Sequence, residues 1–296
     1  MRVFITGATG FVGSAVVAEL IGAGHSVLGL ARSDASAQSL AAAGAAAHRG
    51  ALDDLESLRR GATTCDAVIH MAFIHDFSKF KENCEIDRRA VTALGDALAG
   101  TDKPLIVTSG TALVESGRLA TEADVAAADA PPRVASEEAA TALAARGVRV
   151  SVMRLPPTVH GAGDYQFVPM LIRLAREKGV AAYVGEGRNR WPAVHRRDAA
   201  RLYRLVLEKR NGAARYHGAA EEGIAFRDIA TVIGRELNLP VVGKSGDEAA
   251  AHFGWFAHFA AMDNPTSSAR TRALTGWEPR EAGLLADLES AGYFDA

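Results

Sequence analysis

The chain has 296 residues, 48% of them hydrophobic and 23% charged, and a net charge of −2. That length can bury a sizeable core, as one large domain or as a domain with a smaller subdomain. No long run of one charge sign marks a nucleic-acid footprint or a membrane-binding face, so neither partner is expected.

The first half alternates strands and helices. "RVFIT" (2–6) is a β-branched and aromatic run ending at glycine, and "SAVVAELIGAG" (14–24) has helical periodicity. "HSVLGLAR" (25–32) predicts a second strand, "DASAQSLAAAG" a helix and "AAHRG" a third strand. "DDLESLRRGA" predicts a helix whose first-turn acids suit its dipole. "DAVIHMA" (66–72) is a fourth strand, a long helix follows to about Ala99, and "PLIVTSG" (104–110) is a fifth strand. Apolar strands alternating with helices predict an α/β fold, a parallel sheet covered on both faces. Later, "FVPMLIRLAREKG" (167–179) is an amphipathic helix, and Phe253, Trp255, Phe256 and Phe259 crowd into seven residues. Such a cluster predicts core, or alternatively a hydrophobic lid over a pocket that Trp191 could also reach.

The two cysteines, Cys65 and Cys84, show neither metal-ligand spacing nor a disulfide framework. Free thiols in a reducing cytoplasm are the expectation. The opening "MRVFITGATG" is too short in its apolar run for a signal peptide or a membrane span, so a cytoplasmic location is expected. His70, His75 and Asp76 pass from strand to loop, and His252 and His258 are six apart, so no metal site is expected.

"TGATGFVG" joins the first strand to the first helix and places Gly7, Gly10 and Gly13 at G-x-x-G-x-x-G spacing. Gly7 permits the tight turn, Gly10 lets backbone approach a pyrophosphate, and Gly13 allows close helix–strand packing. Helix N–H groups and the helix dipole then bind phosphate. At the end of the second strand, Ala31 is followed by Arg32 and Ser33, where a NAD site would place an acid. A guanidinium with a hydroxyl suits a 2′-phosphate and favours NADP(H) over NAD(H). Asp34 dissents, but it lies late and can open the next helix.

The "TGATGFVG" loop resembles that of the extended short-chain dehydrogenase/reductases, the NAD(P)-dependent epimerase/dehydratase group. "GALDD" (50–54), "VIHMA" (68–72), "RLPPTVHG" (154–161), "WPAVHRRDAA" (191–200) and "SSARTRALTGWEP" (267–279) extend the resemblance nearly end to end. It implies a Rossmann doubly wound sheet over residues 1–155, rejoined by about 191–212. Residues 156–190 and 213–296 would form a smaller substrate-binding subdomain. The cofactor contacts it implies are Gly7, Thr9, Gly10, Phe11, Val12 and Gly13 in the loop, then Leu52. Met71, Ala72 and Phe73 follow the fourth strand, and Leu155, Pro156 and Pro157 lie toward the nicotinamide. It also implies a homodimer through the helices at about 80–99 and 133–146. His195 would be a structural hydrogen-bonding residue between the two parts.

The chain departs from this family at the usual Tyr-x-x-x-Lys pair. Arg133 stands where the tyrosine should be and Glu137 where the lysine should be, in "RVASEEAA". Arginine exchanges no proton at physiological pH. Gly110 takes the place of the usual Ser or Thr, flanked by Ser109 and Thr111. Arg133 and Glu137, four apart, share a helical face and can simply pair there. Other readings make Arg133 a fixed donor to substrate or to a cofactor ribose, or draw the proton from Tyr165, His75 or Glu137. A further one leaves hydride transfer assisted only by water, Ser109 and Thr111. The sequence thus predicts an NADP(H)-dependent oxidoreductase acting on a small, fairly apolar carbonyl or alcohol. The alternative is a catalytically inactive NAD(P)-binding sensor or regulator. A sugar-nucleotide epimerase or dehydratase fits less well.

Overall fold

The computed structural model describes all residues except 115–116, 127–129, 210–214, 291 and 296. Short apolar runs form the strands of its main sheet: β1 (Arg2–Thr6), β2 (Ser26–Ala31), β3 (Ala46–Arg49), β4 (Ala67–His70), β5 (Leu105–Gly110) and β6 (Val150–Leu155). After β7 (Thr158–His160), β8 (Ala181–Val184) and β9 (Arg190–His195), the strand β10 (Arg215–His217) returns to that sheet. The seven strands run in the order β10-β6-β5-β4-β1-β2-β3, and every pairing is parallel. Strand order reverses at β1, which pairs with both β2 and β4. The crevice beyond the strands' carboxyl ends at such a point is where α/β sheets bind nucleotides.

Helices cover both faces, as buried parallel strands require. On one face lie α1 (Phe11–Gly22), α2 (Asp34–Ala42) and, from far along the chain, α7 (Arg196–Lys209). Val16, Leu20, Tyr203 and Trp277 pack there against Val3 and Ile5. On the other face lie α3 (Leu55–Thr63), α4 (Phe80–Leu98) and α5 (Ala135–Ala145), whose Leu58, Leu94 and Leu143 pack against Phe4 and Val68. The sheet is therefore a doubly wound Rossmann layer. The residue that caps α2 is Ser33, which accepts from Ser36 N, with Asp34 in the first turn, and Asp54 caps α3 by accepting from Ser57 N.

The rest of the chain builds a third core. α6 (Phe167–Lys178), α8 (Phe226–Leu237), α9 (Gly246–Phe253), α10 (Ala257–Ala261) and α12 (Leu284–Ser290) accompany two small sheets, while α11 (Ala269–Thr275) packs on α7 and β10 of the main layer. One has the order β11-β9-β7 with β11 (Glu221–Ala225), the other pairs β12 (Val241–Lys244) with β8. Trp191, Phe226, Ile229, Phe253 and Phe256 are buried together at the centre of this core. Trp191 is thus a core residue, not one that reaches a pocket. The aromatic segment divides: Phe253 and Phe256 are core, while Trp255 is 58% exposed. Cys65 and Cys84 are free and buried. No helix among the described residues is long and apolar enough to cross a membrane.

Candidate functional site

At Gly7 and Gly13 the glycine loop makes contacts that leave no room for a Cβ. Gly7 has φ +73°, the left-handed region that glycine alone enters freely, and a Cβ there would lie 2.8 Å from Ala72 N. A Cβ on Gly13 would lie 2.0 Å from Gly7 O, and one on Gly10 3.2 Å from the same oxygen. The loop therefore presses its backbone on the segment after β4 and on the start of α1. Gly10 caps α1 with no side-chain bond and the first turn holds no acid. Its leading N–H groups face the crevice at the β1/β4 switch, and this cradle fits a dinucleotide pyrophosphate. Thr9 is exposed on the loop, Phe11 is buried and Val12 half-buried beneath it.

The neighbouring strand ends complete the groove. Thr6 Oγ1 accepts from Met71 N at 3.2 Å and from Ala72 N at 3.3 Å, fixing the chain after β4 beside the loop. Leu52 is buried beside Leu30 in the same core. Leu155 ends β6, and Pro156 and Pro157 follow it. At the end of β2, Arg32 is exposed and makes no bond to any described residue. Ser33 caps α2. Asp34, the dissenting acid, is paired with Arg49 from the end of β3.

Arg133 and Glu137 do not pair with each other, which corrects the expectation from their spacing. Arg133 lies in a single 3-10 turn, Pro132–Val134, ahead of α5, so the two do not share a regular helical face. Each enters a different network, tied to other elements. Arg133 Nη1 donates to Asp87 Oδ2 at 3.0 Å and to Ser136 Oγ, and Nη2 donates to Thr108 O at 3.0 Å. Ser136 Oγ also donates to Asp87. Asp87 accepts from His70 Nε2 at 2.9 Å, and His70 Nδ1 bonds Thr6 Oγ1 at 2.8 Å. The carboxylate can only accept, so Nε2 carries the hydrogen and Thr6 donates to Nδ1. A buried relay thus runs Thr6–His70–Asp87–Arg133, and His70 is a satisfied core histidine. Burial pushes the Asp87 carboxyl upward, but His70, Arg133 and Ser136 outweigh it and hold its pKa below the usual range.

The Arg133 guanidinium lies 4.3 Å over the Phe73 ring and its side chain is 16% exposed. Of its five N–H donors, three are committed. Nε–H and one Nη2–H have no acceptor among the described residues.

Glu137 turns the other way. Arg154 grips it with Nε at 2.8 Å and Nη2 at 2.7 Å, and Ser109 Oγ donates to it at 2.8 Å. Burial raises the Glu137 pKa, and Arg154, Ser109 and Arg215 together bring it below the ordinary value. A carboxylate held this way has its lone pairs filled and its proton-accepting power reduced. Thr111 is also committed: its hydroxyl donates to Asn264 Oδ1 at 2.7 Å. Ser109 and Thr111 are both buried in these bonds.

His75 stands on the same wall as Arg133. Its ring centroid is 5.2 Å from that of Phe73, and packing around the ring, with Arg133 nearby, lowers its pKa. From Phe73 an aromatic series continues through Phe80 to Phe77, which stacks on Trp255 at 5.1 Å. Tyr165 is apart from this wall, 63% exposed, with its ring 6.1 Å from that of Phe11. His195 Nδ1 accepts from Arg197 N, and its ring packs edge-on against His160. No group of three potential metal ligands occurs among the described residues.

Asp87 and Arg154 are the site residues that sequence reasoning missed. Two signals were present. A charged residue, Arg154, interrupts the apolar strand "VSVMRL", and Asp87 falls on the buried stripe of α4 with Ala90, Val91 and Leu94. A charge at such a position requires a buried partner.

Comparisons with known proteins agree with this geometry. The profile of the NAD dependent epimerase/dehydratase family matches residues 3–217. An uncharacterized protein of Schizosaccharomyces pombe is 50% identical over 99% of this chain and 100% of its own length. A 4-hydroxy-2-methyl-3-oxo-4-farnesyl-3,4-dihydroquinoline-1-oxide ketoreductase of Stigmatella aurantiaca is 26% identical over 86% of this chain and 80% of its own. Among solved structures, the dTDP-glucose 4,6-dehydratase of Streptomyces venezuelae with NAD bound has the same fold. Its TM-score is 0.79 at 18% identity, covering 100% of this chain and 97% of that one. With the glycine cradle, the doubly wound sheet and the matched profile together, the chain belongs to the NAD-dependent epimerase/dehydratase family, the extended short-chain dehydrogenase/reductases.

Proposed function

We propose that the chain is an NADP(H)-dependent oxidoreductase that reduces a small, fairly apolar carbonyl compound without the usual Tyr/Lys pair. One observation carries this reading: Arg133, held rigid by Asp87, Ser136 and Thr108, keeps two N–H donors uncommitted beside the aromatic wall. A preorganised cation of this kind stabilises the charge that develops on a carbonyl oxygen as hydride arrives. The bound dinucleotide supplies the hydride. Arg133 polarises the carbonyl, Phe73 and Phe77 hold its apolar body, and the proton completing the alcohol reaches the oxygen from solvent by way of His75. The ketoreductase named among the relatives supports a carbonyl substrate.

Arg32, free of any partner, favours NADP(H), and Asp34, which would favour NAD(H), is taken up by Arg49. The reading also carries the two-part division of the chain, with the second part supplying the wall at Trp255, and a homodimer through α4 and α5. A monomer mass in light scattering would end the dimer.

The engagement of Ser109, Thr111 and Glu137 in buried bonds favours a second reading, a dinucleotide-binding protein without catalysis. NADPH and NADH consumption across a panel of apolar aldehydes and ketones separates the two. The enzyme reading expects NADPH oxidation with at least one of them, and Arg32→Ala should weaken NADPH about ten- to a hundredfold more than NADH. Tight cofactor binding with no turnover on any carbonyl would move the conclusion to the second reading.

A further inference from the structure

Beside the glycine loop stands a cation for which the described residues provide no counter-ion. Arg196 begins α7 and is half-buried. Its guanidinium lies 4.6 Å over the Phe11 ring. Nη2 donates to Ser14 Oγ at 2.9 Å and Nη1 to Ala162 O at 3.0 Å. Ser14 Oγ donates in turn to Phe11 O at 3.2 Å, so the charge is pinned to the first turn of α1.

The other arginines of this groove each have a carboxylate partner. Arg197 faces Glu281, Arg201 pairs with Asp198 and Glu281, and Arg204 with Glu19 and Glu208. Among the described residues no carboxylate lies within ion-pair distance of Arg196. Burial, then the charge of Arg197, push its pKa down, and the first turn of a helix is the unfavourable end for a cation. A partly desolvated charge opposed on three counts gains from an anion beside it.

The position is built to hold it. Gly161, at φ +134°, leaves the room its stem needs, because a Cβ there would lie 3.0 Å from Arg196 Cγ and 2.8 Å from His195 Nε2. The adjacent N-terminus of α1 has no side-chain cap and no acid in its first turn. The same small region thus holds unsatisfied backbone donors and an unmatched positive charge.

We propose that Arg196 is the counter-ion of the cofactor's pyrophosphate, closing on the phosphate loop from the second half of the chain. Three of its five N–H donors are uncommitted, and the pyrophosphate brings charge of the required sign to the α1 terminus. Its action differs from that of Arg32. A contact to the 2′-phosphate distinguishes NADPH from NADH, whereas a contact to the pyrophosphate serves both alike.

The test is fluorescence titration of NADPH and NADH into the full-length wild type, Arg196→Gln and Arg196→Lys, at low and at raised salt. Arg196→Gln should weaken both cofactors by the same factor, about tenfold, with a shallower salt dependence. Arg196→Lys, which keeps the charge, should recover most of the loss. Thermal unfolding of the cofactor-free Arg196→Gln protein should match or exceed the wild type, since an unmatched charge has been removed. Unchanged affinities overturn the proposal, and so does a loss confined to NADPH or an affinity loss mirrored by lost stability of the free protein. The proposal rests on the dinucleotide reading of the groove: a wild type that binds neither cofactor overturns both, whereas a binding wild type with an indifferent Arg196→Gln overturns only the role of Arg196.

Discussion

The glycine loop and the wall at Arg133 lie on the same edge of one sheet, yet they are specified in different ways. The loop is local: seven consecutive positions, Gly7 to Gly13, fix a backbone path whose close approaches admit no Cβ. The wall is assembled from afar. Arg133 meets Asp87 across 46 residues, and Phe77 meets Trp255 across the two parts of the chain. A backbone-defined site survives wherever its glycines survive. A side-chain-defined site depends on partners brought in by other elements, as Glu137 depends on Arg154 from β6.

The largest effect that can break this comparison is at the buried pair. Glu137→Ala leaves the fully buried Arg154 guanidinium without its carboxylate. Loss of one partner of such a pair costs about 3–5 kcal/mol, so thermal or urea unfolding should shift by that much. A change below about 1 kcal/mol would mean that Arg154 is held by Asp124 O and His217 alone.

Next in size is the loop itself. Gly13→Ala places a methyl 2.0 Å from Gly7 O, a backbone atom that cannot swing aside. Overpacking of this kind costs about 1–3 kcal/mol, and cofactor affinity measured by titration should fall by about a hundredfold. Wild-type affinity in this variant would show the loop to be more pliable than its contacts indicate.

The smallest effect lies outside both regions, in the loop after β7. Asp164 follows β7, its carboxyl accepts from Tyr293 OH at 3.2 Å, and burial raises its pKa to about 6. The native state therefore holds this proton more tightly than the unfolded chain does. Stability contributed by the site is complete below about pH 4 and is lost as pH rises toward 6. Asp164→Asn should stabilise the protein above pH 6 by on the order of 1 kcal/mol, with no gain near pH 4. A pH-independent difference in melting temperature would remove Asp164 as the cause.

Strand and helix alternation and the nucleotide loop were legible because each is set by neighbours in sequence. The partners of Arg133 and Glu137 were not legible. Their spacing pointed to each other, and only the turn at Pro132–Val134 and the placement of α4 and β6 redirect them. The aromatic segment at 253–259 was divided between core and wall by α9 and α10, a division that helical spacing alone does not fix.

The central claim is that Arg133 does the work of a fixed electrostatic donor and not of a proton donor. The direct measurement is the pH profile of kcat/KM for wild type and Arg133→Ala on the best carbonyl substrate with NADPH. Arginine does not titrate in the working range, so kcat/KM should fall about ten- to a hundredfold with the shape of the profile kept. An Arg133→Ala protein equal to wild type, or one that loses a limb of the profile, would contradict the account.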